Sequence, residues 1–117
     1  MNTGNETQLL VRLLNASSMR AKVIAGNLAN QNTPGYVRRD VRFESLLRDA
    51  MDSDDVSTGD IRPEIFEDLD SPFRPDGNNV SLETEMNAMR ENRLMYETYA
   101  AILAGSFELL RASIQER

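Results

Sequence analysis

The sequence has 117 residues, enough for one small domain, and it contains neither cysteine nor histidine. Disulfides, thiolate nucleophiles and zinc–thiolate sites are therefore excluded, and the commonest general base and metal ligand is missing. The formal net charge is −6, with six basic residues against one acid in residues 9–42 and ten acids against two basic residues in residues 44–70, a balance that argues against nucleic acid as the main partner.

The first predicted element is a helix from about Thr7 to Gln31. Apolar and small residues at alternating spacings of four and three place one stripe along it. The stripe consists of Leu10, Leu14, Ser17, Ala21, Ile24 and Leu28. We interpret the three asparagines near the helix end, Asn27, Asn30 and Asn32, mainly as termination and local capping. The following Pro34-Gly35 predicts a turn with Gly35 at positive φ.

The middle of the chain, residues 33–80, predicts an irregular region with short elements. Alternation of apolar and charged residues over Val37–Phe43 predicts a strand. Phe43–Met51 has the spacing of a brief amphipathic helix. Ile61–Phe66 predicts a second extended piece, which Pro63 confines to an edge.

The acidic stretch Asp52–Asp60 predicts a solvated loop. A cation site is the sharper alternative, because four aspartates lie close together at positions 52, 54, 55 and 60. An EF-hand requires ligands at alternate positions followed by a glycine and a later glutamate, and this spacing lacks them. We therefore favour the loop and expect neither a metal nor a cofactor.

The strongest pattern is a second helix from Leu82 to Ile114. It keeps an unbroken alternation of four and three residues in which Arg93 is the single polar member. Ser81 is a suitable N-cap, and a helix of this length extends about 50 Å. Arg93 either directs its charge outward to solvent or pairs with a carboxylate of a neighbouring molecule.

Long stripes at both ends predict a mainly α fold, in which N- and C-terminal helices pack as an antiparallel coiled-coil-like pair. The short irregular middle contains minor extended segments, giving regions 1–32, 33–80 and 81–117. A lone helix pair leaves much apolar surface exposed, so we expect neighbouring subunits to cover it. The predicted assembly interface consists of Leu10, Leu14, Ala21, Ile24, Leu28, Leu82, Met86, Met89, Tyr96, Leu103, Phe107, Leu110 and Ile114.

Two motifs carry a resemblance to a known family. Residues 25–36 read AGNLANQNTPGY, which resembles the N-terminal signature of flagellar rod and hook proteins. Its turn residues are Asn32, Thr33, Pro34, Gly35 and Tyr36. Residues 74–83 read RPDGNNVSLE, similar to the stretch that opens the C-terminal helix in the FlgB family of proximal rod proteins.

The resemblance implies a structural subunit of the proximal rod, polymerising through its terminal helices to transmit torque from the MS ring to the hook. It implies other axial proteins (FliE, FlgC and further rod subunits) as partners, with the MS ring reached indirectly. It also implies a periplasmic location after type III export without a cleaved signal peptide. We expect no enzymatic activity, no small-molecule substrate and no nucleic-acid partner. We also expect no membrane-spanning segment, since no apolar run approaches about 20 residues.

Two other classes of function remain open at this point. A cytoplasmic coiled-coil adaptor or chaperone would explain the alternation of four and three residues but not the motif in residues 25–36. A purified chain that forms a defined small oligomer would favour this class of protein. A small carboxylate-dependent hydrolase needs acids that converge in a pocket, whereas these acids crowd an apolar-poor loop.

Overall fold

A computed structural model describes residues 3–52 and 61–115 of the chain. The described part contains three helices: α1 (Thr3–Ala29), α2 (Glu44–Asp52) and α3 (Leu82–Gln115). Two short strands, β1 (Arg39–Arg42) and β2 (Glu64–Glu67), pair as an antiparallel sheet. The predicted mainly α fold, with long terminal helices around a short middle, is confirmed. The eight residues of the predicted acidic loop that include Asp54, Asp55 and Asp60 lie outside the described residues.

The two long helices run antiparallel. The Glu85 carboxylate accepts a hydrogen bond from Asn27 Nδ2 at 3.2 Å, and Asn92 Nδ2 donates to the Ser17 carbonyl at 2.8 Å. As the residue number rises along α3 from 85 to 92, the residue that it contacts on α1 therefore falls from 27 to 17. The resulting molecule is long and flat, with extents of 67 × 32 × 14 Å.

The helix boundaries follow from local capping. Helix α1 starts before the predicted Thr7 and ends at Ala29, where Asn30 Nδ2 donates to the Gly26 carbonyl at 2.9 Å. The side chain thus adds a second donor at the helix end to a carbonyl that also accepts the Asn30 backbone N–H at 3.1 Å. At the start of α3, the Ser81 hydroxyl accepts from the Thr84 backbone N–H at 3.4 Å, as expected of an N-cap.

The hydrophobic core is small and lies between α1 and α2. Ala16, Phe43 and Leu47 form its buried centre, against which Leu9, Leu13 and Ile61 pack. The predicted brief helix is confirmed by α2, and Leu47 and Ala50 are its buried side chains. Both predicted extended pieces are also present as strands, with the Arg42 guanidinium 4.4 Å from the Phe66 ring centroid.

Candidate assembly surface

The fully buried residues on the side of α3 that turns toward α1 are polar, although this side also contains apolar residues. Its buried members are Glu85 and Asn92, and its half-buried members include Ala88, Met95 and Tyr99. These positions follow spacings of three and four residues, so they share one side of the helix. We name this side of α3 the polar seam.

The predicted apolar stripe of α3 lies beside the polar seam, and the rest of the described chain leaves most of it exposed. Seven of its eight predicted interface residues are exposed, with exposed fractions from 37% to 64%, and Leu103 is half-buried. At 3.6 residues per turn, the stripe is displaced from the seam by roughly a quarter turn of the helix. We define the apolar stripe as Leu82, Met86, Met89, Tyr96, Leu103, Phe107, Leu110 and Ile114.

The last part of α3 projects past α1. Extending the pairing of residues 85 and 92 with residues 27 and 17 places the first described residue of α1, Thr3, opposite about residue 106 of α3. In agreement, every side chain from Phe107 to Gln115 is exposed. Phe107, Leu110 and Ile114 therefore have no cover within the described chain.

The predicted interface residues of α1 divide into two groups. Leu10 and Ile24 are buried within the chain, while Leu14 and Leu28 are half-buried and Ala21 is exposed. The α1 stripe thus serves largely to bury the helix against its own chain. Assembly through Leu10 and Ile24 stays a prediction, and the exposed apolar surface lies mainly on α3.

Arg93, the polar member of the stripe, points to solvent. Its side chain is 81% exposed, and its Nε donates to Glu97 Oε1 at 3.1 Å one helical turn later. This agrees with an arginine that directs its charge outward, and an exposed pair of this kind contributes little to stability. Pairing of Arg93 with a neighbouring molecule stays a prediction.

The Asn-Thr-Pro-Gly-Tyr turn leads the chain away from α1. Gly35 has φ of 75°, as predicted, a backbone conformation that residues with a side chain rarely adopt. Its backbone N–H donates to the Asp76 carbonyl at 2.9 Å, and the Tyr36 N–H donates to the Thr33 carbonyl at 3.2 Å. Asn32, Thr33 and Pro34 are exposed, whereas Tyr36 is half-buried.

The two motifs that carry the family resemblance bind each other. Asn78 is fully buried, and its Nδ2 donates to the carbonyls of Asn30, Gln31 and Thr33 at 2.9, 3.2 and 2.9 Å. Arg74 adds donors to the carbonyls of Gln31 and Val80. We name this set of contacts the motif clasp. It joins the end of α1 to the start of α3. Hydrophobic periodicity did not predict it.

A buried ionic network, centred on Arg38, lies beneath the motif clasp. Arg38 Nε donates to Glu85 Oε1 and its Nη1 to Asp68 Oδ2, both at 2.6 Å. Burial alone lowers the pKa of Arg38, but the hydrogen bonds to Glu85 and Asp68 outweigh it and raise the pKa. The pKa of Asp68 is held below its usual range by the Ser71 hydroxyl and by Arg38, against the opposing effect of burial.

Asn27 connects this network to α1. Its Oδ1 accepts from the Arg39 N–H at 2.9 Å, and its Nδ2 donates to the Arg39 carbonyl at 2.8 Å as well as to Glu85. The Tyr36 hydroxyl donates to the same Oδ1 at 3.2 Å. The interpretation of Asn27 as a helix terminator was therefore incomplete, because its amide binds the backbone of β1.

Within residues 3–52 and 61–115, no group of three or more acidic side chains is placed to hold a metal ion. None of the described helices is long and apolar enough to cross a membrane.

Comparison with known proteins places these features in one family. The family described as "Flagella basal body rod protein" matches residues 11–36, the second part of α1 and the turn after it. The flagellar basal body rod protein FlgB of Aquifex aeolicus is 34% identical over 116 residues, covering 93% of this chain and 92% of the relative. The FlgB proteins of Bacillus subtilis (29%, covering 89% and 88%) and Escherichia coli strain K12 (28%, covering 81% and 82%) are also similar.

Proposed function

We propose that this chain is a structural subunit of the proximal rod. The proposal starts from the family, because the chain belongs to the flagellar basal body rod proteins. In this proposal the subunit polymerises through its terminal helices, and the polymer transmits torque from the MS ring to the hook. The observation that carries it is the apolar stripe of α3, which stays exposed although α3 has a packed partner helix.

The size of the stripe favours a polymer over an isolated pair. Covering a half-exposed Leu, Ile, Met or Phe side chain contributes about 1 kcal/mol, so the seven exposed residues contribute about 7 kcal/mol. Association costs about 4–15 kcal/mol in lost freedom, so one such contact is marginal. A subunit in a helical array makes several contacts at once, which turns marginal pairs into a stiff assembly.

The partners in this proposal are further copies of the chain and other flagellar axial proteins, among them FliE, FlgC and later rod subunits. Contact with the MS ring is indirect. Support comes from the family and from two separate exposed apolar surfaces, one along α3 and one around Leu69 and Phe73 in the loop before it. The subunit would reach the periplasm through the flagellar type III system without a cleaved signal peptide.

The proposal includes no catalytic step, cofactor or metal. A chain without histidine or cysteine lacks the groups that most hydrolytic and redox sites use. A mechanical role requires many well-packed contacts rather than a reactive group. This fits a molecule in which most of the buried polar side chains of the described residues bind one another, with Ser17 Oγ and Asn92 Oδ1 as the exceptions.

The test is a pair of matched substitutions on α3. Leu110→Asp places a carboxylate in the apolar stripe, and Leu94→Asp places the same group at an exposed position on the other side of the helix. Neither side chain is buried in the single chain, so both variants should unfold like the parent. We expect Leu110→Asp to block rod assembly, because burying an unpaired carboxylate costs several kcal/mol.

The variants are expressed in cells that lack the parent chain. Immunoblots of the periplasmic fraction measure export, and electron microscopy of basal bodies measures assembly. Complete rods in cells carrying Leu110→Asp would refute the stripe as the interface. A purified parent chain that forms a defined small oligomer and no longer polymer would favour the adaptor function.

A further inference from the structure

We infer that Glu85 is a positioning residue that determines which side of α3 turns toward α1, and thereby keeps the apolar stripe free for assembly. This inference rests on the proposed function in one respect, namely that the stripe is the surface used. Its structural part concerns the single chain alone.

The inference starts from an unusual choice of buried face. Helix α3 has an apolar stripe of eight residues, yet it turns Glu85 and Asn92 toward α1 and leaves most of the stripe in water. An amphipathic helix ordinarily buries its apolar side, because removing that side from water lowers the free energy. Specific polar contacts must therefore favour the observed orientation.

Glu85 makes the strongest of these contacts. Its side chain has no exposed surface, and its two oxygens bind groups on different elements: Arg38 Nε at 2.6 Å and Asn27 Nδ2 at 3.2 Å. A charged, fully enclosed hydrogen bond is among the stronger side-chain contacts in proteins. Since Glu85 lies one turn into α3, two fixed bonds there determine the rotation of the whole helix.

The site that receives Glu85 is held together without α3. Arg38 also binds Asp68, and its backbone N–H donates to Asn79 Oδ1 at 2.7 Å. Asn27 is fixed to the backbone of Arg39 by both of its amide atoms. Truncation of Glu85 therefore leaves Arg38 paired with Asp68, so loss of this one side chain tests orientation more than it tests folding.

The second polar group of the seam, Asn92, acts in the same direction and is weaker. It makes one hydrogen bond, from Nδ2 to the Ser17 carbonyl, and it is uncharged. Neutral hydrogen bonds contribute less than charged ones. Without Glu85, the seam keeps Asn92 and the half-buried Ala88, Met95 and Tyr99, which together offer less apolar surface for burial than the eight residues of the apolar stripe. Helix α3 should then turn the stripe toward α1.

The chain contains no cysteine, so a single introduced cysteine reports one position only. Met89→Cys places a thiol on the apolar stripe, and Ala88→Cys places one on the polar seam. The rate of each thiol with a small alkylating reagent is measured on the full chain, at a dilution where sedimentation shows a monomer. In the parent, the thiol at position 89 should react faster than the thiol at position 88.

The decisive variants are Glu85→Ala and its matched control Glu83→Ala, an exposed glutamate in the same first turn. We expect Glu85→Ala to lower the ratio of the rate at position 89 to the rate at position 88 at least about tenfold, so that the thiol at position 88 becomes the faster one. Loss of a charged hydrogen bond produces a change of this size. Glu83→Ala should leave the ratio unchanged. Glu85→Gln, which keeps the shape and one acceptor, should lie between them.

Two outcomes would overturn the inference. In the first, a folded Glu85→Ala variant keeps the parent ratio. In the second, both thiols accelerate equally, which means that Glu85 stabilises the helix pair without orienting it. A reversed ratio together with normal rods would instead retain the positioning role and refute the stripe as the assembly surface, so the two proposals fail separately.

Discussion

Asn78→Ala tests the motif clasp directly. The side chain is fully buried and makes four hydrogen bonds: three from Nδ2 to carbonyls of residues 30, 31 and 33, and one from the Val80 N–H to Oδ1 at 2.7 Å. Alanine removes all four. The three carbonyls keep other donors, namely the Thr33 N–H, Arg74 and the Tyr36 N–H, but the buried Val80 N–H is left without a partner. A buried group left in this state costs about 1–3 kcal/mol, so we expect a loss of about 3 kcal/mol.

Urea unfolding followed by circular dichroism measures the effect. With a slope of about 1–3 kcal/mol per molar urea, the midpoint should fall by about 1–3 M. The control is Asn32→Ala, an exposed asparagine in the same turn, which should change stability by less than about 0.5 kcal/mol. A midpoint for Asn78→Ala within the error of the control would refute the clasp.

A second substitution at the same position separates hydrogen bonding from shape. Asn78→Asp keeps the size of the side chain but replaces the donor with a carboxylate that faces three carbonyl oxygens. Protonation restores a donor, so the folded state should hold a proton more tightly than the unfolded state. Relative to the parent at the same pH, this variant is then most stable below about pH 4, and the difference becomes more unfavourable as the pH rises through the raised folded-state pKa. Asn78→Ala should not show this dependence relative to the parent.

Two further predictions concern the turn and the ionic network. Gly35→Val should cost about 1–2 kcal/mol and reduce incorporation into rods, measured by urea unfolding and by microscopy of basal bodies, because Gly35 has φ of 75°; normal rods would show that the turn is dispensable. Asp68→Asn should weaken the dependence of stability on acid pH, measured by urea midpoints at different pH values. The folded-state pKa of Asp68 is depressed, so its contribution is present above about pH 4 and is lost as the pH falls; an unchanged acid profile would contradict this.

The helices and their ends could be predicted because they depend on local sequence. The stripe from Leu82 to Ile114 indicates a long helix whatever surrounds it, and Ser81 caps it through its own first turn. Gly35 likewise reveals its positive φ through the Pro-Gly pair. The first short strand could also be predicted from alternation, since Val41 is buried between a half-buried Asp40 and an exposed Arg42.

The contacts between distant segments could not be predicted in the same way. Arg38 and Glu85 are 47 residues apart, and Asn78 is 48 residues from Asn30. Hydrophobic periodicity says which side of a helix is apolar, but it does not say whether that side meets the same chain or another. The polar seam was missed for this reason, since Glu85 and Asn92 resemble ordinary surface residues in the sequence.

In the structure, the family motifs and the apolar stripe have different roles. The residues that reveal the family, residues 25–36 and 74–83, bind one another within the chain and set how α3 leaves the loop. The apolar stripe carries no distinctive motif, because any large apolar side chain at the right spacing covers surface equally well. If the stripe is the assembly surface, the motif clasp affects assembly only by setting the orientation of α3. Changes in the clasp should then be detected first in the single chain, and changes in the stripe only in the polymer.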